Sequence, residues 1–147
     1  MTTLVFLHSP GQSPFDWREV ADYLPPAWAI AAPDLRQCHT VDELCSIIDR
    51  DAMSVSDERI ILISSGSSAI ALAAFNERYA HRVEGLIAIK PRWKVSMRQR
   101  FTERKKPFLA VLRKTQIVKP ADITELSHED TQYPAQCAAA LYRVITK

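Results

Sequence analysis

Residues 4–7, 28–32, 60–63 and 83–89 are short apolar runs, largely continuous rather than alternating between apolar and polar positions. A strand reads this way when both its faces are buried, which happens when a parallel sheet is covered by helices on both sides. The segments between the runs carry helical spacing. Trp17, Val20, Ala21 and Leu24 recur on one helical face until Pro25-Pro26 stops them, and Val41, Leu44, Ile47 and Ile48 follow the capping-box pair Thr40 and Glu43. Residues 69–79 predict a largely apolar helix, 93–104 a basic helix and 134–145 a final helix. Residues 108–112 read as a fifth strand and 122–126 as a weaker sixth. The expectation is an α/β domain spanning residues 1–147, with a mostly parallel sheet of about six strands and helices on both faces. A chain of 147 residues can bury one core of this kind but not two.

Composition narrows the function classes. With 47% apolar and 24% charged residues the chain is an ordinary globular one, without repeats or low-complexity tracts. The N-terminal apolar run has no basic residue before it and is too short for a signal-peptide core or a membrane span. Cys38, Cys45 and Cys137 form no Cys-x-x-Cys pair and would leave one thiol over, which does not fit a disulfide framework or a structural zinc site. A cytoplasmic protein with no metal and no cofactor is expected. The net charge of +2 is unevenly spread: residues 1–91 carry seven Lys/Arg against twelve Asp/Glu, whereas residues 92–119 carry ten against one. That block comprises Arg92, Lys94, Arg98, Arg100, Arg104, Lys105, Lys106, Arg113, Lys114 and Lys119. A solvated helix face is its plain reading, and an acidic protein, a phosphate-bearing ligand or nucleic acid its functional one. Nucleic acid fits less well, because the aromatics or glycine loops of common RNA and DNA modules are not interleaved with the charges.

Ligands of parallel sheets bind at the carboxyl ends of the strands, which places residues 9–11, 34–39, 64–69, 91–93, 113–116 and 127–130 on one rim. The residues in these segments resemble the α/β-hydrolase superfamily. Leu4-Val5-Phe6-Leu7-His8-Ser9-Pro10-Gly11 is similar to the family's strand and oxyanion loop, and Asp16-Trp17 with Ala32-Pro33-Asp34-Leu35-Arg36 continues the likeness. Residues 60–68 are similar to its nucleophile-elbow strand, Tyr79-Ala80-His81-Arg82-Val83-Glu84-Gly85-Leu86 to the link that follows, and Ser127-His128 to the turn that presents the catalytic histidine. The resemblance spans nearly the whole chain and implies a truncated form of the fold, lacking the first two of eight strands and any cap domain.

The same resemblance implies a degenerate site. The family's nucleophile sits on a strained turn between small residues. An ungapped match to Arg82-Val83 gives Ser64-Ser65-Gly66-Ser67-Ser68, with Gly66 at the apex. Ser67 at the apex also keeps small neighbours, while Ser65 would put Ile63 where glycine is wanted. Pro10, at the oxyanion-loop position, has no N–H, and Arg113-Lys114-Thr115-Gln116 offers no carboxylate where the triad acid is implied. His128 alone keeps its matched position, and Asp122 is the nearest downstream acid. His8 is expected to pack beneath its loop, and Cys38-His39 to be incidental rather than a thiol–imidazole pair. Two functions follow. One is a protein that has lost serine-hydrolase chemistry and binds a small ligand or acidic partner, using a cleft of Ser9, Pro10, Gly11, Ser65, Gly66, Ser67, Trp93 and His128 or the basic face. The other is a divergent small esterase or thioesterase using Ser67, or Ser65, with His128.

Overall fold

The computed structural model describes residues 1–95 and 106–147. Five strands form one parallel sheet: β1 (Thr3–Leu7), β2 (Ala29–Ala31), β3 (Ile60–Ser65), β4 (Val83–Ile89) and β5 (Ile123–Leu126), in the order β2-β1-β3-β4-β5. Val5 lies opposite both Ala31 and Leu62, and Ile87 opposite Ile63, with one register shift between β3 and β4 at Ile60/Ile61. Side chains alternate between two cores. Val5, Leu7, Leu62 and Leu86 face one of them; Leu4, Phe6, Ile61, Ile63 and Ile87 face the other. Each side is covered by helices, which explains why the runs in β1 and β3 are continuous.

The first core is closed by α2 (Val41–Val55), α3 (Ala69–Arg78) and α4 (Pro107–Lys114), and the second by α1 (Arg18–Asp22) and α6 (Pro134–Ile145). Local signals account for the helix starts. The Thr40 hydroxyl accepts the Glu43 N–H at 3.1 Å before α2, and Leu44, Cys45, Ile48 and Ala52 form its buried stripe. Ahead of α1, Ser13 and Asp16 make a reciprocal capping box around the 3-10 turn Pro14–Trp17. A short helix, α5 (His128–Thr131), leads from β5 towards α6.

The expectation of about six strands is corrected to five, because residues 108–112 lie within a helix rather than a strand. Phe108, Leu109, Val111 and Leu112 are buried while Ala110 is half-buried, the spacing of a helical stripe. Pro107 occupies the first turn, and Arg113 and Lys114 the last. A four- or five-residue apolar run cannot by itself distinguish a buried strand from a buried helix. Residues 113–116 therefore close and follow a helix and do not end a strand. With residues 107–114 helical, β5 pairs directly with β4. Trp93, Lys94 and Val95 are not helical, and the remainder of the expected basic helix, including Arg98, Arg100, Arg104 and Lys105, lies outside the described residues.

The chain goes outward from β1 to β2 and then returns past β1 to β3. The crevice between the carboxyl ends of β1 and β3 is therefore the switch point at which such sheets bind ligands. Among the described residues no helix is long and apolar enough to cross a membrane. Leu62 is fully buried at the centre of the sheet. Its replacement by alanine should lower the unfolding free energy in urea by about 3 kcal/mol, the usual loss of transfer energy plus the cavity left behind.

Candidate functional site

At the switch point β3 turns into α3 through a single 3-10 turn, Gly66–Ser68. Gly66 has φ +55°, a left-handed conformation that glycine adopts without penalty. The turn is fastened from several sides. Ser68 Oγ accepts the Ser65 N–H at 2.9 Å and lies 2.9 Å from the Leu7 carbonyl oxygen and 2.8 Å from that of Ser65, so it ties the end of β3 to the end of β1. The Arg92 N–H donates to the Gly66 carbonyl at 3.0 Å.

Above the apex stands Ser9. Its hydroxyl donates to the Ser65 carbonyl and lies 3.0 Å from Ser65 Oγ. A Cβ on Gly66 would come within 3.0 Å of Ser9 Oγ. The structure thus brings Ser9, Ser65 and Gly66 together, with a hydroxyl from the β1 loop in the space over residue 66. Ser67 is 4% exposed, and its hydroxyl makes no hydrogen bond to His128 or to any other group among the described residues.

The β1 loop has few donors to offer. The Ser9 N–H is taken by Gln12 Oε1 at 3.2 Å, Pro10 has none, and the Gln12 N–H donates back to the Ser9 carbonyl at 3.0 Å. Beneath it, His8 is fully buried. Its Nε2 accepts the Leu35 N–H at 2.9 Å and its Nδ1 donates to the Ser9 carbonyl at 3.0 Å, which fixes a neutral tautomer. Asp34 Oδ1 is 3.9 Å from Nε2, but a nitrogen that accepts an N–H carries no proton, so this contact is not an ion pair. The Arg36 guanidinium, donating from Nε at 2.9 Å and Nη2 at 2.7 Å, holds the Asp34 carboxyl down at about 2.

His128 opens α5 at the end of β5. Its Nδ1 lies 3.4 Å from Lys90 Nζ, and the two side chains are exposed. The expected turn is in fact a helix start, with Ser127 Oγ accepting the Asp130 N–H at 3.3 Å. Asp122 precedes β5, at the amino edge of the sheet and opposite His128, so it is not an acid behind that histidine. Burial pushes the Cys38 thiol up to about 12 and the Cys137 thiol up to about 11, which makes both inert. Trp93 lies beneath Lys119, whose Nζ is 5.6 Å from the ring centroid. Among the described residues no group of three His, Cys, Asp or Glu side chains could hold a metal ion.

Two cavities open on this rim. A cleft of about 440 Å³ is lined by Pro10, Gly11, Arg36 and Lys106, and a smaller one of about 280 Å³ by Trp17, Ser65, Lys90 and Cys137; Gln12 and Asp16 stand between them. Trp93 lines neither. Arg92, Lys94 and Lys106 are exposed. Lys90 was missed by sequence reasoning, which began the rim at residue 91; a charged residue directly after an apolar strand and before Pro91 was the available signal.

No family model matches the chain, and no curated protein matches it. Solved structures do. A pyrethroid hydrolase superposes with a TM-score of 0.62 at 12% identity, over 99% of this chain and 97% of the other. A CIB-like hydrolase from Thermoplasma acidophilum gives 0.61 at 12% identity, over 98% and 86%. This is an α/β-hydrolase fold. The thioesterase domain of the curacin biosynthetic pathway gives 0.54 at 14% identity, over 71% of this chain and 41% of that domain. Another structure of the pyrethroid hydrolase is matched over 64% of this chain and 41% of its own length. In these last two alignments the chain spans about two fifths of its structural neighbour.

Two measurements probe this α/β-hydrolase rim. Burial lowers the pKa of His8, so the folded state resists a proton that the unfolded chain accepts near its ordinary value of about 6.5. The neutral ring's contribution is therefore fully present above that pH. It should be lost as pH falls towards the folded value, by up to about 1.4 kcal/mol per pH unit. Urea midpoints should decline below neutrality in the native chain, and His8→Leu should remove that component of the slope. At the turn, Gly66→Ala should cost about 1–2 kcal/mol for the left-handed backbone alone, with a further loss from crowding Ser9 Oγ. In a Ser9→Ala background the crowding disappears, and a double-mutant cycle on unfolding free energies should show the two changes summing to less than their separate costs.

Proposed function

We propose that this α/β-hydrolase-fold chain acts by binding a small ligand at the carboxyl rim of its sheet, without the covalent serine chemistry associated with the fold. The observation that carries this reading is Gly66. The left-handed residue of the β3–α3 turn has no side chain, and the Ser9 hydroxyl lies over it, hydrogen-bonded to the Ser65 carbonyl. Nucleophilic catalysis requires a hydroxyl within reach of a base that can take its proton. Ser67 is buried and its hydroxyl has no such partner among the described residues, while the matched histidine contacts a lysine.

Two further features support the reading. Oxyanion stabilisation requires preorganised N–H donors, and in the β1 loop the Ser9 donor is occupied and Pro10 has none. Among the described residues no strand lies between β4 and β5, and the segment from which an acid was implied follows helix α4. The exposed cations Arg92, Lys94 and Lys106 favour an anionic group on whatever binds. Three buried free thiols accord with a reducing, cytoplasmic setting. The neighbours named as pyrethroid hydrolase and thioesterase supply a precedent for the scaffold, and the proposal keeps their fold without their chemistry.

The decisive experiment is reaction of the native protein with a fluorophosphonate ester, followed by intact-mass and peptide analysis. No covalent adduct on any serine is expected, and cleavage of short-chain p-nitrophenyl esters should be the same for the native chain, Ser67→Ala and His128→Ala. An adduct on Ser67 that disappears in Ser67→Ala would overturn the proposal.

A further inference from the structure

The smaller rim cavity carries a chemistry of its own. Its floor is apolar, formed by Trp17, Val20, Ile89 and Cys137, and at its edge is the Lys90 side chain. Two features of its lining set it apart from the rest of the rim. Lys90 has φ 47°, the left-handed region that non-glycine residues seldom occupy outside constrained sites. The Trp17 side chain is more than nine-tenths buried, yet its indole N–H has no acceptor among the described residues, and buried donors of this kind are rarely left unpaired.

Charge indicates what would fill the cavity. The Lys90 ammonium contacts His128 Nδ1 at 3.4 Å, which acts as an acceptor only when the imidazole nitrogen is unprotonated, and no carboxylate pairs with it among the described residues. Its positive charge reaches the floor, where it works against the burial that raises the Cys137 thiol. The one acid in the lining, Asp16, already accepts the Ser13 N–H at 2.7 Å in the turn before α1. One ammonium beside one committed carboxylate suits a monoanion and disfavours a dianionic phosphate. A volume of about 280 Å³ has room for a small molecule only.

We infer that this cavity binds a small organic carboxylate with an apolar body, its acid group on Lys90 Nζ and its body against Trp17, Val20 and Ile89. The inference rests on the reading that the rim binds rather than hydrolyses, and deepens it by naming the ligand class.

Phenylacetate, with phenylacetamide and inorganic phosphate as the other probes, tests this by two-dimensional amide and indole NMR on the whole chain. Phenylacetate should shift the signals of Trp17 Nε1–H, Ile89 and Thr131. It should bind about tenfold more tightly than the amide, the difference expected for a hydrogen bond to a charged group, while phosphate should leave those signals unmoved. Lys90→Gln should remove the preference for the acid and Lys90→Arg should keep it, each variant being first shown to have the native spectrum elsewhere. Equal binding of acid and amide, phosphate binding at the same signals, or an acid preference unchanged in Lys90→Gln would overturn the inference. Fluorophosphonate labelling reads the hydrolase question separately. A labelled protein that still prefers phenylacetate would sink the proposed function and leave the pocket, whereas an unlabelled protein without acid preference would do the reverse.

Discussion

Helix α3 is buried from Ala69 to Phe75 and packs directly behind the central strand β3. A helix without a polar side cannot be approached through a long polar loop, because that loop would bury backbone groups with no partners. The chain must reverse from strand to helix within a three-residue turn, and such a reversal needs one left-handed residue. Gly66 supplies it. The rest of the rim is organised around keeping that turn closed: Ser68 bonds to β1, Ser9 bonds to β3, and the residue 92 N–H bonds to the Gly66 carbonyl. In a serine elbow the same strain falls on a residue with a side chain, and the surrounding packing must hold it in place. Glycine removes that demand, and the space over it is occupied by the Ser9 hydroxyl.

The β1 loop follows from the same closure. Several of its polar groups satisfy one another: Gln12 closes on Ser9 through both its side chain and its N–H, and His8 joins the Ser9 carbonyl to the Leu35 N–H beyond β2. A loop knitted in this way is rigid and offers few donors to a ligand from its own backbone. The cations at this rim are instead carried by side chains at the strand ends and loops, among them Lys90, Arg36 and Lys106.

How much of this was legible in the sequence depends on the length scale of each signal. Runs at residues 4–7 and 60–63 announced strands buried on both faces because no polar position interrupts them. The turn at residues 64–68 was legible because so many small residues can serve only a tight reversal. Residues 108–112 were misread because five apolar residues satisfy either period; Pro107 before them and Arg113-Lys114 after them were the helix signals that should have decided the matter. The clasp between Ser9 and Ser65 was not legible at all, since it joins residues 56 apart in the chain through a contact that only the parallel register of β1 and β3 creates. Trp17 reads as a core residue from its helical spacing, and it is one; its unpartnered indole N–H becomes visible only in three dimensions.

Backbone strain on this rim falls at Lys90. Among the described residues it is the one non-glycine position with positive φ, and a left-handed conformation costs an L-residue about 1–2 kcal/mol that glycine would escape. The strain is held by the sheet, because the Lys90 N–H donates to the Leu126 carbonyl at 2.8 Å and so extends the β4–β5 pairing one residue beyond β4. That bond accounts for the direction of the backbone but not for the identity of the side chain, since glycine would donate it equally well. What lysine adds is an ammonium group beside His128, on the lining of a cavity that Trp17, Ile89 and Cys137 also line. Lys90 thereby places at the edge of the smaller cavity a positive charge that contacts His128 Nδ1 at 3.4 Å and pairs with no carboxylate among the described residues.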